Sequence, residues 1–541
     1  MTVATTRKRL RLRVITPVFP IFNIYSRIAR RTTALGPVCI ATSARQVPGW
    51  DAEVVDENNL RRYGPELAEG GADHQFLQQE RPADVVALYG GLTSSVPRLY
   101  EIARFYKEQG VTTLAGGQHF AAPENIEEAL YSHIDYVVVG EGEYTIQELL
   151  AMLTGSRDKC EIKGIAYLEN SKLVQTPARE PVRDFAAMPL PDFSLVRYAK
   201  ISLYPVERIR GCGMDCEFCT VKGKPRPASA ERLFETITML VETRSAECFF
   251  VVDDLFGQQR EETIRFCKMM AEYQKQIGKA LKLSVQIRWD KADDSELLQH
   301  MRLAGINNVA IGFESPIKEE LSAMRKHVKP EEMLNNTKEF SKFGFWVHGM
   351  FIFGYPMNQE GEFFMSIKER IKRYRQFIKK AHLDTIQVLL PVPLPGTELR
   401  ERLQKEGRIY PVEQIGWQYY DGNFPLFEPD TPLASEEMQT AARYIMRKFY
   451  GFKYLLLIAW KICSFPSIIF FSYNLKLGWH RWYRTWRNYL VRFGGWLTIK
   501  NWLSKYKKDP FEQRLAKAKE ELPGQSEKKD VQQPPKEETG S

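Results

Sequence analysis

Cysteine is scarce: eight residues in 541 cannot build a disulfide scaffold, which excludes the small secreted frameworks. Three of the eight crowd into positions 212–219, the pattern of a metal or redox site in a reducing interior. A long uncharged apolar run is also missing. No stretch of signal-peptide length follows the basic segment Met1 to Arg13, so a cytoplasmic location is expected. The one run of membrane-spanning length, Tyr454 to Tyr473, carries Lys461 and Pro466 inside it. Short-period repeats and low-complexity segments are absent before residue 521. Acid is missing from one region in particular: residues 441–510 carry fourteen Lys or Arg against a single Asp509. The formal charge of +9 therefore belongs to this stretch, and residues 1–440 are slightly acidic. Apolar residues at 44% and charged residues at 26% are ordinary globular usage and exclude a disordered or fibrous chain. The length predicts three or four structural units.

What is present first is alternation. Residues 12–17, 53–56, 84–89, 112–115 and 135–139 are short apolar runs separated by helical stretches, which predicts a parallel, doubly wound sheet. Three runs end in glycine-bearing turns: Gly90-Gly91, Gly116-Gly117-Gln118-His119 and Gly140-Glu141-Gly142-Glu143. Ligands of such sheets sit outside the carboxyl ends of the strands, where glycine permits close backbone approach. A hairpin through Glu169-Asn170-Ser171-Lys172 and a proline-bearing linker follow, closing a first domain at 1–185. A second βα series has strands near 205–210, 247–253, 281–287, 308–314, 345–353 and 384–390. Six units over 200–400 fall two short of a complete eight-stranded barrel. Ser229 is the expected N-cap of the helix from Ala230.

The first strand of the second series runs into Gly211-Cys212-Gly213-Met214-Asp215-Cys216-Glu217-Phe218-Cys219. Three thiolates on one tight loop can ligate three irons of a [4Fe-4S] cluster and leave the fourth open. This spacing, with Phe218 before the last cysteine, resembles the radical S-adenosylmethionine (SAM) superfamily. The resemblance implies a partial (β/α)6 TIM-like barrel, with Cys212, Cys216 and Cys219 as metal ligands. There SAM is cleaved to a 5′-deoxyadenosyl radical. It also implies SAM contacts for Phe218, for Asp253 or Asp254, for Gln286 and for Glu314.

A doubly wound domain before such a barrel resembles the cobalamin-binding members of the superfamily. Gly90, Gly91, Gly116, Gly117, His119, Gly140, Glu141 and Gly142 then become candidate cobalamin contacts. The Asp-x-His-x-x-Gly motif that supplies a lower cobalt ligand elsewhere is missing, so His74, His119 and His133 are not expected to ligate cobalt. Such a pair of cofactors implies methylation of an unactivated carbon, with a flavodoxin or ferredoxin as electron donor. A radical cyclase or rearrangement enzyme is the alternative reaction. An iron–sulfur electron-transfer module at the membrane is the alternative outside enzymes.

The carboxyl-terminal region, 401–510, is expected to be helical. Six of the ten Trp lie in 441–510 among the basic residues. Trp and Tyr interleaved with Arg and Lys describe a headgroup-level surface, so peripheral contact with the inner face of the membrane is expected, and nucleic acid is not. With it comes a lipid-like or other small-molecule substrate. Residues 511–541 are expected to form a polar, disordered tail.

Overall fold

The computed structural model describes residues 9–522 apart from 24–25, 61–63, 69, 185–186, 359–362 and 466–474. In the first sheet, β1 (Leu10–Thr16) pairs in parallel with both β2 (Trp50–Asp56) and β3 (Val85–Tyr89). Beyond β3 lie β4 (Thr112–Gly116) and β5 (Tyr136–Val138), also parallel. The antiparallel pair β6 (Ile165–Glu169) and β7 (Lys172–Gln175) completes that side, and β8 (Val196–Arg197) adds to β2 at the other. The strands are apolar on both faces because helices cover both. Strand order reverses at β1, which opens a crevice beyond the carboxyl ends of β1 and β3. Asn170 and Ser171, both at positive φ (49° and 60°), form the two-residue turn of the expected hairpin.

The second sheet takes its strands in chain order: β9 (Tyr204–Val206), then past the small ribbon of β10 (Ile209–Arg210) and β11 (Arg226–Pro227), β12 (Cys248–Phe256), β13 (Lys282–Ile287), β14 (Ile306–Glu314), β15 (Trp346–Ile352) and β16 (Thr385–Leu389). The pairings between its six strands are all parallel. Strands β9 and β16 stand at opposite edges and do not meet, so the barrel is laterally open. Side chains alternate with the period of two that a strand imposes. Phe249, Val251, Val309, Ile311 and Phe313 are buried under the outer helices, whereas Phe250, Val252, Asp254, Gly312 and Glu314 are half-buried on the concave side. Ser229 caps the helix Ala230–Arg244 by accepting from the Arg232 amide.

Two expectations require correction. The first barrel strand is not continuous over 205–210. It breaks at Glu207–Arg208, because the Asp253 carboxylate takes the amides of Arg208 (2.6 Å) and Ile209 (2.9 Å). The tail is not disordered from 511: Phe511–Glu520 is a helix whose Phe511, Leu515 and Ala518 are buried against Tyr419, Phe424, Trp502 and Tyr506. Its apolar residues recur at the helical spacing, hidden within a Lys- and Glu-rich segment. The apolar run from Tyr454 divides after Cys463. Lys453–Cys463 is a helix packed beside Leu475–Tyr506, and Pro466 to Tyr473 lie outside the described residues. Among the described residues no helix is long and apolar enough to cross a membrane.

Candidate active site

The cysteine loop leaves the end of β10 and returns at β11, which pair antiparallel and close it as a ribbon. Gly211 (φ 88°) and Gly213 (φ 75°) make the turn. A Cβ on Gly211 would lie 2.8 Å from the Lys224 carbonyl oxygen, so only glycine fits there. Polar side chains then fix the loop from several directions. Asp254 accepts from the Gly211 amide at 2.8 Å, Gln258 donates to the Cys212 carbonyl at 2.7 Å, and Lys222 donates to the Cys216 carbonyl at 3.0 Å.

Glu217, inside the cysteine motif, is buried and accepts from Tyr355 Oη at 2.6 Å and from Arg402 Nε and Nη2 at 2.7 and 3.1 Å. Phe218 stands edge-on to the same Tyr355 ring, centroids 6.1 Å apart. No local sequence pattern singles out Glu217 or Arg402, whose partnership spans 185 residues.

Cys212, Cys216 and Cys219 are free thiols. Burial pushes Cys216 and Cys219 above the ordinary thiol range, against the lowering pull of Lys326 on Cys216 and of the Val221 amide on Cys219. Each feels Cys212, and Cys216 also feels Cys219. Desolvated thiols so crowded are poor thiolates alone, and bound iron relieves both the charge and the crowding. Among the described residues no three His, Cys, Asp or Glu side chains converge as ligands of a single metal ion. Thiolates that each hold a different iron have no need to converge on one point.

The remaining barrel candidates divide. Asp253 is buried on the outer side, and burial raises its pKa to about 7 in spite of its two amide bonds. It anchors the loop and is not available to a ligand. Asp254, also raised by burial, stands on the concave side, as does the exposed Gln286. Glu314 sits at a positive φ of 58° and pairs with Lys326 at 2.6 Å. No sequence pattern singles out Lys326, which also lies within electrostatic reach of Cys216.

At the crevice of the first domain lies a cavity of 620 Å³. Its floor is the glycine-bearing rim: Gly116, Gly117, Gly140, Glu141 and Gly142. Its opposite wall belongs to the barrel, with Pro205, Glu207, Arg210, Phe250 and Val252. A Cβ on Gly117 (φ 125°) would lie 2.6 Å from the Gly90 carbonyl carbon, and one on Gly90 2.6 Å from the Phe120 ring. Gly90 and Gly91 therefore serve close packing beneath the rim and do not line the cavity.

His119 is not a cavity residue either. It is buried between Thr93 (3.4 Å), Asn125 (3.3 Å) and the Trp417 ring, and burial, then Arg400, lowers its pKa to about 3. Glu141 is committed to an interdomain clamp: Arg226 approaches at 2.6 and 3.0 Å and the Val182 amide at 2.6 Å. Burial raises its pKa, but these bonds and Arg210 outweigh it and leave the group below the usual carboxylate range. Among the described residues no histidine lines the cavity. Its volume, glycine rim and largely apolar walls fit a large flat cofactor.

Comparison with known proteins agrees. Residues 26–150 match the B12 binding domain family and residues 206–369 the Radical SAM superfamily. An uncharacterized methyltransferase of Pyrococcus horikoshii is 28% identical over 320 residues, covering 57% of this chain and 67% of the relative. The hopanoid C-2 methylase of Rhodopseudomonas palustris is 26% identical over 418 residues, covering 74% and 72%. The radical SAM methyltransferase TsrM of Kitasatospora setae, solved with cobalamin and a [4Fe-4S] cluster bound, shares the fold at a TM-score of 0.58 and 17% identity, covering 74% of this chain and 78% of its own. The chain belongs to the cobalamin-binding radical SAM superfamily, enzymes whose cofactors are an iron–sulfur cluster, SAM and cobalamin.

Proposed function

We propose that this enzyme methylates an unactivated carbon of an apolar, lipid-like molecule. The observation that carries the reading is the shared wall. The glycine-rimmed cavity is bounded by β9, Arg210 of β10 and the concave residues Phe250 and Val252 of β12, beside the strand end that leads into the cysteine loop. The methyl donor and the hydrogen-abstracting radical can therefore serve one substrate without passing through solvent.

Under this reading Cys212, Cys216 and Cys219 hold the cluster, and Phe218, Asp254, Gln286 and the Glu314–Lys326 pair face SAM. Gly116, Gly117, Gly140 and Gly142 present backbone to cobalamin. When bound, these groups supply a radical that removes hydrogen from carbon and a methyl group that replaces it. A second cavity, 270 Å³, opens at the free edge of the barrel. His348 and Gln387 meet it from the barrel, and Leu389, Met446, Ile499 and Trp502 make it mainly apolar, which suits the hydrocarbon part of a substrate. Reducing chemistry of this kind suits the cytoplasm and an electron donor of the flavodoxin or ferredoxin class.

The test is anaerobic turnover of the reconstituted enzyme with SAM, methylcobalamin and a reductant. 5′-Deoxyadenosine is the expected product. Mass spectrometry of lipids from cells with and without the gene is expected to show species differing by one methylene. Lipid extracts that are identical, from cells whose purified enzyme cleaves SAM, would exclude the lipid-like substrate.

A further inference from the structure

Helix Lys453–Cys463 has only two charged residues, Lys453 and Lys461, yet it leaves most of its surface in water. Tyr454 and Ile458, one turn apart, are its buried pair. Leu456 is 65% exposed, Trp460 71% and Ile462 55%. Trp479 and Tyr483 of the neighbouring helix Leu475–Tyr506 are exposed as well. The two helices are joined by the Trp482 indole, which donates to the Lys461 carbonyl at 2.9 Å. Phe465 stands edge-on to Trp479 and Trp482, with centroids 5.8 and 5.1 Å away. A contiguous apolar patch of this kind marks an interaction surface.

Charge selects the partner. Between Glu437 and Asp509 there is no acid. Part of the positive charge is turned inward: Arg484 donates to the carbonyls of Ser341 and Phe345, and Arg492 to that of Leu383. Lys453, Lys500, Lys507 and Lys508 remain exposed. We infer that this helical pair docks on the surface of an anionic phospholipid bilayer, its Leu, Ile and Trp side chains at the acyl boundary and its lysines among the headgroups. A second copy of the chain would bring like charges together. Nucleic acid would leave Leu456 and Ile462 without a partner.

The same helix Leu475–Tyr506 supplies Val491, Gly495, Ile499 and Trp502 to the 270 Å³ cavity at the open edge of the barrel. One element thus touches both the bilayer and the cavity, a link that rests on the lipid-like reading of the substrate, whereas the docking does not.

Flotation of the full-length reconstituted enzyme with vesicles tests the inference. The enzyme is expected to float with phosphatidylcholine vesicles containing phosphatidylglycerol, and far less with phosphatidylcholine alone. A Leu456→Glu/Trp460→Glu variant is expected to lose about tenfold or more in partitioning while forming 5′-deoxyadenosine at the wild-type rate. A wild-type enzyme that stays in the soluble fraction overturns the inference. So does a DNA duplex that binds more tightly than the vesicles, or a dimer that the double variant dissolves in place of flotation. An enzyme that floats normally but methylates no lipid keeps the docking surface and removes the substrate reading.

Discussion

The loop bearing Cys212, Cys216 and Cys219, which follows directly on the cavity-lining Arg210, and the rim bearing Gly116, Gly117, Gly140 and Gly142 are built in opposite ways. The loop is specified by side chains: Asp253, Asp254, Gln258, Lys222 and Glu217 each hold a backbone group or another buried side chain. The rim is specified by their absence, since a Cβ at Gly117 would strike the Gly90 backbone. Ligation through sulfur needs three atoms at fixed points, which requires a rigid backbone. A large cofactor held by shape needs the backbone close and nothing in between.

Two substitutions break the comparison most sharply. Cys216→Ala is expected to remove the cluster and with it all SAM cleavage, as read by iron content and 5′-deoxyadenosine, while leaving cobalamin retention intact. Gly117→Val is expected to do the reverse. The φ of 125° alone costs a side chain about 1–3 kcal/mol, and the clash with Gly90 adds to it. Cobalt retained after gel filtration should fall to near zero with iron content unchanged. If either variant loses both cofactors, the two sites are not separately built.

A milder change probes what the motif spacing conceals. Glu217→Gln keeps the shape of the side chain but removes the buried charge partner of Arg402, itself mostly buried, and leaves it only the more exposed Glu406 at 3.3 Å. Breaking a buried pair costs about 3–5 kcal/mol in full burial, and less here because Arg402 is partly wetted. The expected result is a loop that still binds iron but holds it less uniformly. Iron content should be reduced and not abolished, and the reduced cluster should give a broadened electron paramagnetic resonance signal. Tyr355→Phe removes one neutral donor and should fall between this variant and the wild type. A Glu217→Gln signal identical to wild type would show that Cys212, Cys216 and Cys219 are positioned without Glu217.

Most of the fold was legible because its signals are local. The six-stranded series, the Asn170–Ser171 hairpin and the Ser229 cap each depend on neighbours a few residues away. The cysteine spacing is local too, and so is the glycine rim, where Gly140 and Gly142 flank Glu141. What escaped depends on distant partners or on burial. Glu141 looked like a rim residue, and its commitment to Arg226 lies 85 residues ahead. His119 stands in a glycine turn, yet its ring meets that of Trp417, in the carboxyl-terminal region. Asp253 and Asp254 are adjacent, and only the phase of β12 separates the anchor from the side chain on the concave face. The helix Phe511–Glu520 was hidden by its own lysines and glutamates, since three buried apolar residues among ten suffice when a preformed aromatic cluster receives them.

The smallest expected effect concerns the anchor itself. Asp253 accepts the amides of Arg208 and Ile209 through one oxygen, and its other oxygen is buried with no partner. Burial raises its pKa from 3.8 to about 7. A carboxyl raised on folding contributes stability that is complete below the unfolded value and is lost as pH rises through the folded one. The window therefore runs from about pH 4 to above pH 7. Asp253→Asn keeps an accepting oxygen and cannot ionise. At pH 5 both folded proteins carry an uncharged side chain, and their urea midpoints should differ only by what ionisation of Asp253 in the unfolded chain above about pH 4 has already cost the wild type. By pH 8 the wild type holds a desolvated carboxylate, and the gap should open in favour of the variant by a few kcal/mol at most. Unfolding curves whose separation does not change between pH 5 and pH 8 would mean that Asp253 is ionised throughout, and that its two amide bonds outweigh its burial. The cysteine loop would then be anchored by a charge. On the present geometry it hangs from a carboxyl that is largely neutral in mild acid, a device for which the glycine rim has no counterpart.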